Sequence, residues 1–248
     1  MGLPHRRAGR GAPGGAASAS LAALLMAATA SAAAHPHGSL DCAARVQAGP
    51  AGLSAIDLTL TLDAASSASL QPRLQAEPDG AAPANKDARL FADLVAGMFR
   101  QSGWMLRLQP LGADGEPQAT PLALDDPGPA TWRRTPQGRL QVSVRLQPET
   151  APAAGLPVPT GYRLACLDPD WYWATGFAGA AQFTVDAPCR AALDAMGSLA
   201  EQARTLQSAA QRAGVVGADQ AAPGLLDTTA QRAPGGLIHC PTRRISGP

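Results

Sequence analysis

Only four histidines occur in the 248-residue chain: His5, His35, His37 and His239. Two of them flank a proline in Ala34-His35-Pro36-His37. Imidazole nitrogen is the commonest side-chain ligand for transition ions and suits Zn, Ni, Co and Cu. If the chain is cut after Ala34, His35 also gains a free α-amine, a third nitrogen donor. An amine with histidine in third position resembles the amino-terminal Cu/Ni site. That site needs a deprotonated amide from residue two, and Pro36 has no N–H. The square-planar four-nitrogen version is therefore excluded. His35 and His37 supply two or three nitrogens and require further ligands. His239, Asp41, Asp168 and Asp170 are the candidates, with His239 and Asp168 the weaker additions to a site centred on His35 and His37. Asp168-Pro169-Asp170 is first of all turn chemistry. His239 adjoins Cys240, whose sulfur a disulfide would occupy.

The chemistry absent from the chain is also informative. It has no Ser/His/Asp set, no Gly-rich phosphate loop, no His-x-x-x-His and no Cys-x-x-Cys. A catalytic site needs several convergent groups, so a non-enzymatic binding role is expected. A copper oxygenase built on an N-terminal histidine brace would need His239 as its partner, held in the core.

The segment before His35 reads as a secretory signal. Arg6, Arg7 and Arg10 precede the ten-residue apolar run Leu21–Ala30, and Ala32 and Ala34 occupy the positions read at cleavage. The run is too short to span a bilayer. Residues 1–34 are thus expected to be a signal peptide and 35–248 a single periplasmic domain. The three arginines lost leave 17 basic residues against 19 acidic, a net −2. A chain of this balance with no basic run is a poor nucleic-acid binder. No later run reaches membrane-spanning length, so no membrane insertion of the mature chain is expected.

The elements that must position these groups follow from periodicity. Leu40, Cys42, Ala44 and Val46 share one strand face, and Ile56, Leu58, Leu60 and Leu62 alternate with polar residues. Gly49-Pro50 to Gly52 joins them as a hairpin. Residues 64–84, rich in Ala, Ser, Pro and Gly, read as a loop. Asn85 caps a helix over 86–102 whose Leu90, Phe91, Leu94, Val95, Met98 and Phe99 form an apolar stripe expected to face the core. Strands follow around 104–108, 142–146, 162–166, 171–173 and 183–185. Asp186 and Pro188 are read as the start of a second helix running to about Arg212. Residues 237–240 form a final strand. Strands in adjacent runs predict an α+β fold, mainly antiparallel β in a sheet or sandwich, with one inserted helix and one C-terminal helix. The β-rich core covers 35–186, and 187–248 adds the helix and tail strand.

Four cysteines, Cys42, Cys166, Cys189 and Cys240, all lie in the exported part and imply two disulfides. Three pairings are possible. Cys42 and Cys166 fall on apolar strand faces, which favours Cys42–Cys166 with Cys189–Cys240.

The ordered set His35-Pro36-His37, Asp168-Pro169-Asp170-Trp171-Tyr172, Cys189 and His239-Cys240-Pro241 resembles domain-of-unknown-function family 1007. That family is described as a periplasmic component of an uncharacterised ABC-type transport system. The resemblance implies a periplasmic protein linked to transition-metal traffic, with a membrane metal transporter as partner, and no known reaction. A second reading, from a resemblance to exported copper-resistance proteins that begin with histidine, is a copper carrier on a β-sandwich. The chain departs from the family pattern in two places. Gly38-Ser39 replace the β-branched residue and aromatic that follow His-Pro-His in many members. Glu77-Pro78-Asp79-Gly80 lacks the spaced aspartates of a calcium loop, so calcium binding is not carried over.

Overall fold

A computed structural model of the chain describes residues 38–49, 52–83, 85–149, 159, 161–168, 173–193 and 235–240. The first hairpin forms as its alternation dictates. Strands β1 (Gly38–Gly49) and β2 (Gly52–Leu62) pair antiparallel, with Leu40 opposite Leu62 and Cys42 opposite Leu60. Strand β6 (Leu140–Pro148) continues the sheet on the far side of β2. The even-numbered residues from Leu40 to Val46, Ile56 to Leu62 and Leu140 to Leu146 are buried on one face. The other face carries Arg45, Asp57, Thr59, Ser143 and Arg145, which pair across the strands, for example Thr59 Oγ1 with Ser143 Oγ at 3.0 Å.

Two strands join the free edge of β1. Strands β8 (Trp173–Phe177) and β9 (Phe183–Val185) both run parallel to it. The seven-stranded sheet is thus mixed, ordered β4-β6-β2-β1-β8, with β5 (Thr131–Arg134) also on β6 and β9 also on β1. Strand β4 is the short Leu124–Asp125. A second, antiparallel sheet of four strands is ordered β10-β11-β7-β3. Its members are β3 (Leu106–Pro110), β7 (Gly161–Cys166), β10 (Arg190–Leu193) and β11 (Gly235–His239). Residues of both sheets form one core cluster, from Leu40, Leu58 and Leu146 to Leu108, Leu164 and Ile238. The architecture is α+β and mainly antiparallel, as expected.

Both expected disulfides are present. Cys42–Cys166 ties β1 of the first sheet to β7 of the second, and Cys189–Cys240 ties the start of β10 to the end of β11. They close spans of 124 and 51 residues. Loops of these sizes are worth about 4–5 kcal/mol each in the chain-entropy model.

Three local expectations are corrected. Residues 64–74 form a helix, α1 (Ala64–Leu74), not a loop. Its start is fixed by Asp63, whose side chain accepts from Ser66 N–H. Ser67, 1% exposed, plugs it onto the sheet: its hydroxyl donates to the Leu62 carbonyl and accepts from Leu140 N–H at 2.9 Å. Asp186-Ala187-Pro188 does not open a helix. The chain turns there and continues as β10, held against β11 beside the Cys189–Cys240 bond. The remainder of the expected late helix, beyond Leu193, lies outside the described residues. Strand β5 with its buried Trp132 was not anticipated; Trp132 packs its ring 6.3 Å from Phe99.

The inserted helix, α2 (Lys86–Gln101), begins at Asn85, which accepts from Ala88 N–H at 2.7 Å. Asp87 in its first turn and Arg100 in its last oppose the helix dipole favourably. Arg100 Nε donates to Asp126 at 2.6 Å, and Trp104 Nε1 donates to the same carboxylate oxygen at 3.0 Å. Its buried side is Ala88, Ala92, Val95, Ala96 and Phe99. Leu90, Leu94 and Met98, half of the expected core stripe, point to solvent.

Candidate functional site

His35 and His37 lie outside the described residues, but the residues they lead into are firmly placed. The Asp63 carboxylate accepts from Ser39 N–H at 2.7 Å, Ser66 N–H at 2.8 Å and the Ser66 hydroxyl at 3.1 Å. Asp63 N–H returns a bond to the Ser39 carbonyl at 3.0 Å. One carboxylate therefore caps α1 and clamps the first residues of β1. Burial raises the Asp63 pKa, but the hydrogen bonds from Ser66 and Ser39 outweigh it and hold the carboxyl below its usual range.

Gly38 sits under this clamp. A Cβ there would come within 2.6 Å of both Asp63 Oδ2 and Trp173 Cζ3, and 2.9 Å of Ser66 Oγ. This contact explains why a glycine follows His-Pro-His in this chain. The Trp173 ring occupies the space that a side chain would need.

Asp168 is 2% exposed and lies just after β7. Its Oδ2 accepts from Trp173 N–H at 2.7 Å. Its own N–H donates to Thr175 Oγ1, which donates in turn to the Cys166 carbonyl, both at 3.1 Å. The carboxylate thus fixes Trp173 at the start of β8, and Trp173 covers Gly38. Asp170, Trp171 and Tyr172 lie outside the described residues. Asp41 faces away from the core and pairs with Arg139 at 2.7 Å.

His239 is placed elsewhere. It is exposed at the end of β11, opposite Arg190 and Gly161. Gly161 opens β7, while Asp168 lies two residues beyond its other end. At about 3.4 Å per residue that separates His239 from Asp168 by roughly 20 Å. Metal–nitrogen and metal–oxygen bonds are about 2 Å, so one ion cannot use both. His239 is likewise not held in the core where a histidine brace would need it. Among the described residues no group of three or more His, Cys, Asp or Glu is clustered to hold an ion.

Sequence reading missed the cleft beside the Gly38 clamp. About 700 Å³ in volume, it runs between α1 and α2, with Leu70, Phe91, Leu94 and Met98 among its apolar lining. Ser66, Ser102, Asp168 and Trp173 give it polar groups. The only signal in the sequence was an excess of large apolar residues on α2.

Fold and site together define a disulfide-stapled α+β protein whose N-terminal strand is clamped beside an apolar cleft. A family model matches residues 20–233, and the chain belongs to that family, described as Protein of unknown function (DUF1007). The match stops before His239-Cys240-Pro241, so that part of the resemblance lies beyond it. No curated protein and no solved structure matches the chain. Among the described residues, no helix is long and apolar enough to cross a membrane.

Proposed function

We propose that the protein is an exported, non-enzymatic accessory of a transition-metal transport system, and that His35 and His37 hold one divalent ion as cargo ahead of β1. One observation carries the reading: Asp63 and Trp173 fix Gly38–Ser39. The strand that the histidine pair leads into therefore begins at a fixed point beside the cleft. Two disulfides fit an oxidising compartment, and the apolar run before Ala34 fits a cleaved signal. Cleavage supplies the amine, and Pro36 withholds the amide that would complete a closed four-nitrogen site. An ion held by two or three nitrogens keeps open positions. Open positions suit hand-over to a partner such as a membrane permease better than permanent storage.

A copper-carrier reading has one observation of its own. Met98 and Met105 line the cleft beside the clamp, and thioethers favour Cu(I).

The test is metal titration of protein purified from the periplasm, with the N-terminus at His35 verified by mass. The expected result is one divalent ion per chain, lost in His35→Ala/His37→Ala. Equal metal content in variant and wild type would sink the proposal. A marked preference for copper over Zn, Ni and Co would select the second reading.

A further inference from the structure

Helix α2 carries more large apolar residues than it buries. Leu90, Leu94 and Met98 are 56%, 61% and 60% exposed. Spaced by four, they form a single ridge along the helix, the type that packs into the groove of another helix. The cleft between α1 and α2 lies directly beside them: Leu94 and Met98 form part of its wall, with Leu70, Phe91 and Val95 also in its lining. Knob and hole are therefore neighbours on one face. They also match in length. The ridge spans eight residues, about 12 Å at 1.5 Å per residue. On α2 the cleft is lined from Phe91 to Gln101, a similar run.

At 100° per residue, Lys86, Arg89, Asp93 and Arg100 fall on the flank of the ridge away from Phe91. They form a polar rim and do not enter the cleft. The ridge alone exposes on the order of 300 Å² of apolar surface, within the range of the largest patch on a monomer, which is often functional. A flat bilayer does not fill a concave cleft, whereas a row of side chains at helical spacing does.

We propose that this face is a two-fold interface between two copies of the chain, the Leu90-Leu94-Met98 ridge of each seated in the α1/α2 cleft of the other. A two-fold contact requires a surface that is its own complement, and adjacent ridge and groove on one helix pair meet that requirement. The total area buried is on the order of 1,000 Å², the low end for specific interfaces. The dimer is accordingly reversible and dissociates on dilution. This inference does not rest on metal binding.

Sedimentation velocity of the purified protein from low to high micromolar concentration tests it. The expected result is a mass rising toward twice that of the chain. Leu94→Glu/Met98→Glu should stay monomeric throughout, with circular dichroism unchanged and a thermal midpoint equal to that of dilute, monomeric wild type, because both side chains are already in water in the monomer. If that variant fails to fold, Leu94→Ala/Met98→Ala is read instead, with at least a tenfold weaker association expected. A wild type that stays monomeric overturns the proposal, as does a dimer that survives these substitutions at full strength. So does a monomer that pellets with phosphatidylglycerol vesicles through the same residues, which would make the face a membrane contact.

Discussion

Asp63 is where fold and proposed site depend on one side chain, so Asp63→Ala is the most informative single change. Losing an N-cap carboxylate costs about 1–2 kcal/mol. The Ser39 N–H loses its acceptor as well, worth about 1 kcal/mol more. The predicted loss is therefore about 2–3 kcal/mol. At about 2–4 °C per kcal/mol for a domain of this size, the thermal midpoint should fall by about 5–10 °C. Asp63→Asn keeps an oxygen able to cap and should cost clearly less. The pH dependence fixes the mechanism. The folded-state pKa of Asp63 is held below its unfolded value. Its contribution is then fully present above the unfolded pKa and is lost as pH falls through the folded pKa. Calorimetry at neutral pH should show the full gap between wild type and Asp63→Ala, and the gap should narrow as acid protonates the carboxyl. A gap that is absent at neutral pH, or that persists unchanged in acid, would refute the assignment of Asp63 as an ionised clamp. On the proposed function the same variant should also weaken metal binding, because the strand that the histidine pair leads into loses its fixed start. That second readout separates a stability role from a positioning role.

Other outcomes follow from the same geometry. His239→Gln should leave metal affinity unchanged, as titration would show, since His239 stands at the far end of β7 from Asp168. Cys42→Ser/Cys166→Ser should cost about 4–5 kcal/mol by chemical denaturation, because the bond joins the two sheets across 124 residues. Phe99→Ala should cost about 3–5 kcal/mol, since Phe99 is 3% exposed and packs on both Trp104 and Trp132.

The parts of the fold legible in the sequence were those with a strong period or a forced cap. The β1–β2 hairpin, β6, β7 and the start of α2 at Asn85 all lie where alternation and capping put them. Strand faces favoured Cys42 with Cys166 among three possible pairings, and that bond is present. Helix α1 was not legible because Ala-Ala-Ser-Ser-Ala-Ser has no large apolar repeat. It is held by the Asp63 cap and by Ser67, which bonds to the end of β2 and to distant β6, and a local pattern cannot report tertiary hydrogen bonds. The same limit applies to the site. Asp168 looked like a ligand by residue type, yet Trp173 N–H uses its Oδ2. Asp63, which carries no ligand-like signal in the sequence, anchors Ser39 at the start of β1.

Helix α2 shows how a correct period can still give the wrong face. Its large apolar residues fall in two adjacent rows, Leu90-Leu94-Met98 and Phe91-Val95-Phe99. A centre drawn through both rows puts the core between them. The helix is instead turned so that Ala88, Ala92 and Ala96 join Val95 and Phe99 inside. Alanine adds little to a pattern weighted by size, but it lets a helix approach its neighbour closely, and Trp104 and Trp132 beside Phe99 fill the remaining space. The rotation leaves one large row with no core to enter. Exposing three such side chains forfeits several kcal/mol of burial at about 25 cal/mol per Å². A helix needing only one buried face would satisfy packing with polar residues at positions 90, 94 and 98. The surplus row is therefore best accounted for by a second surface, and the cleft that it borders has the shape to be that surface's counterpart.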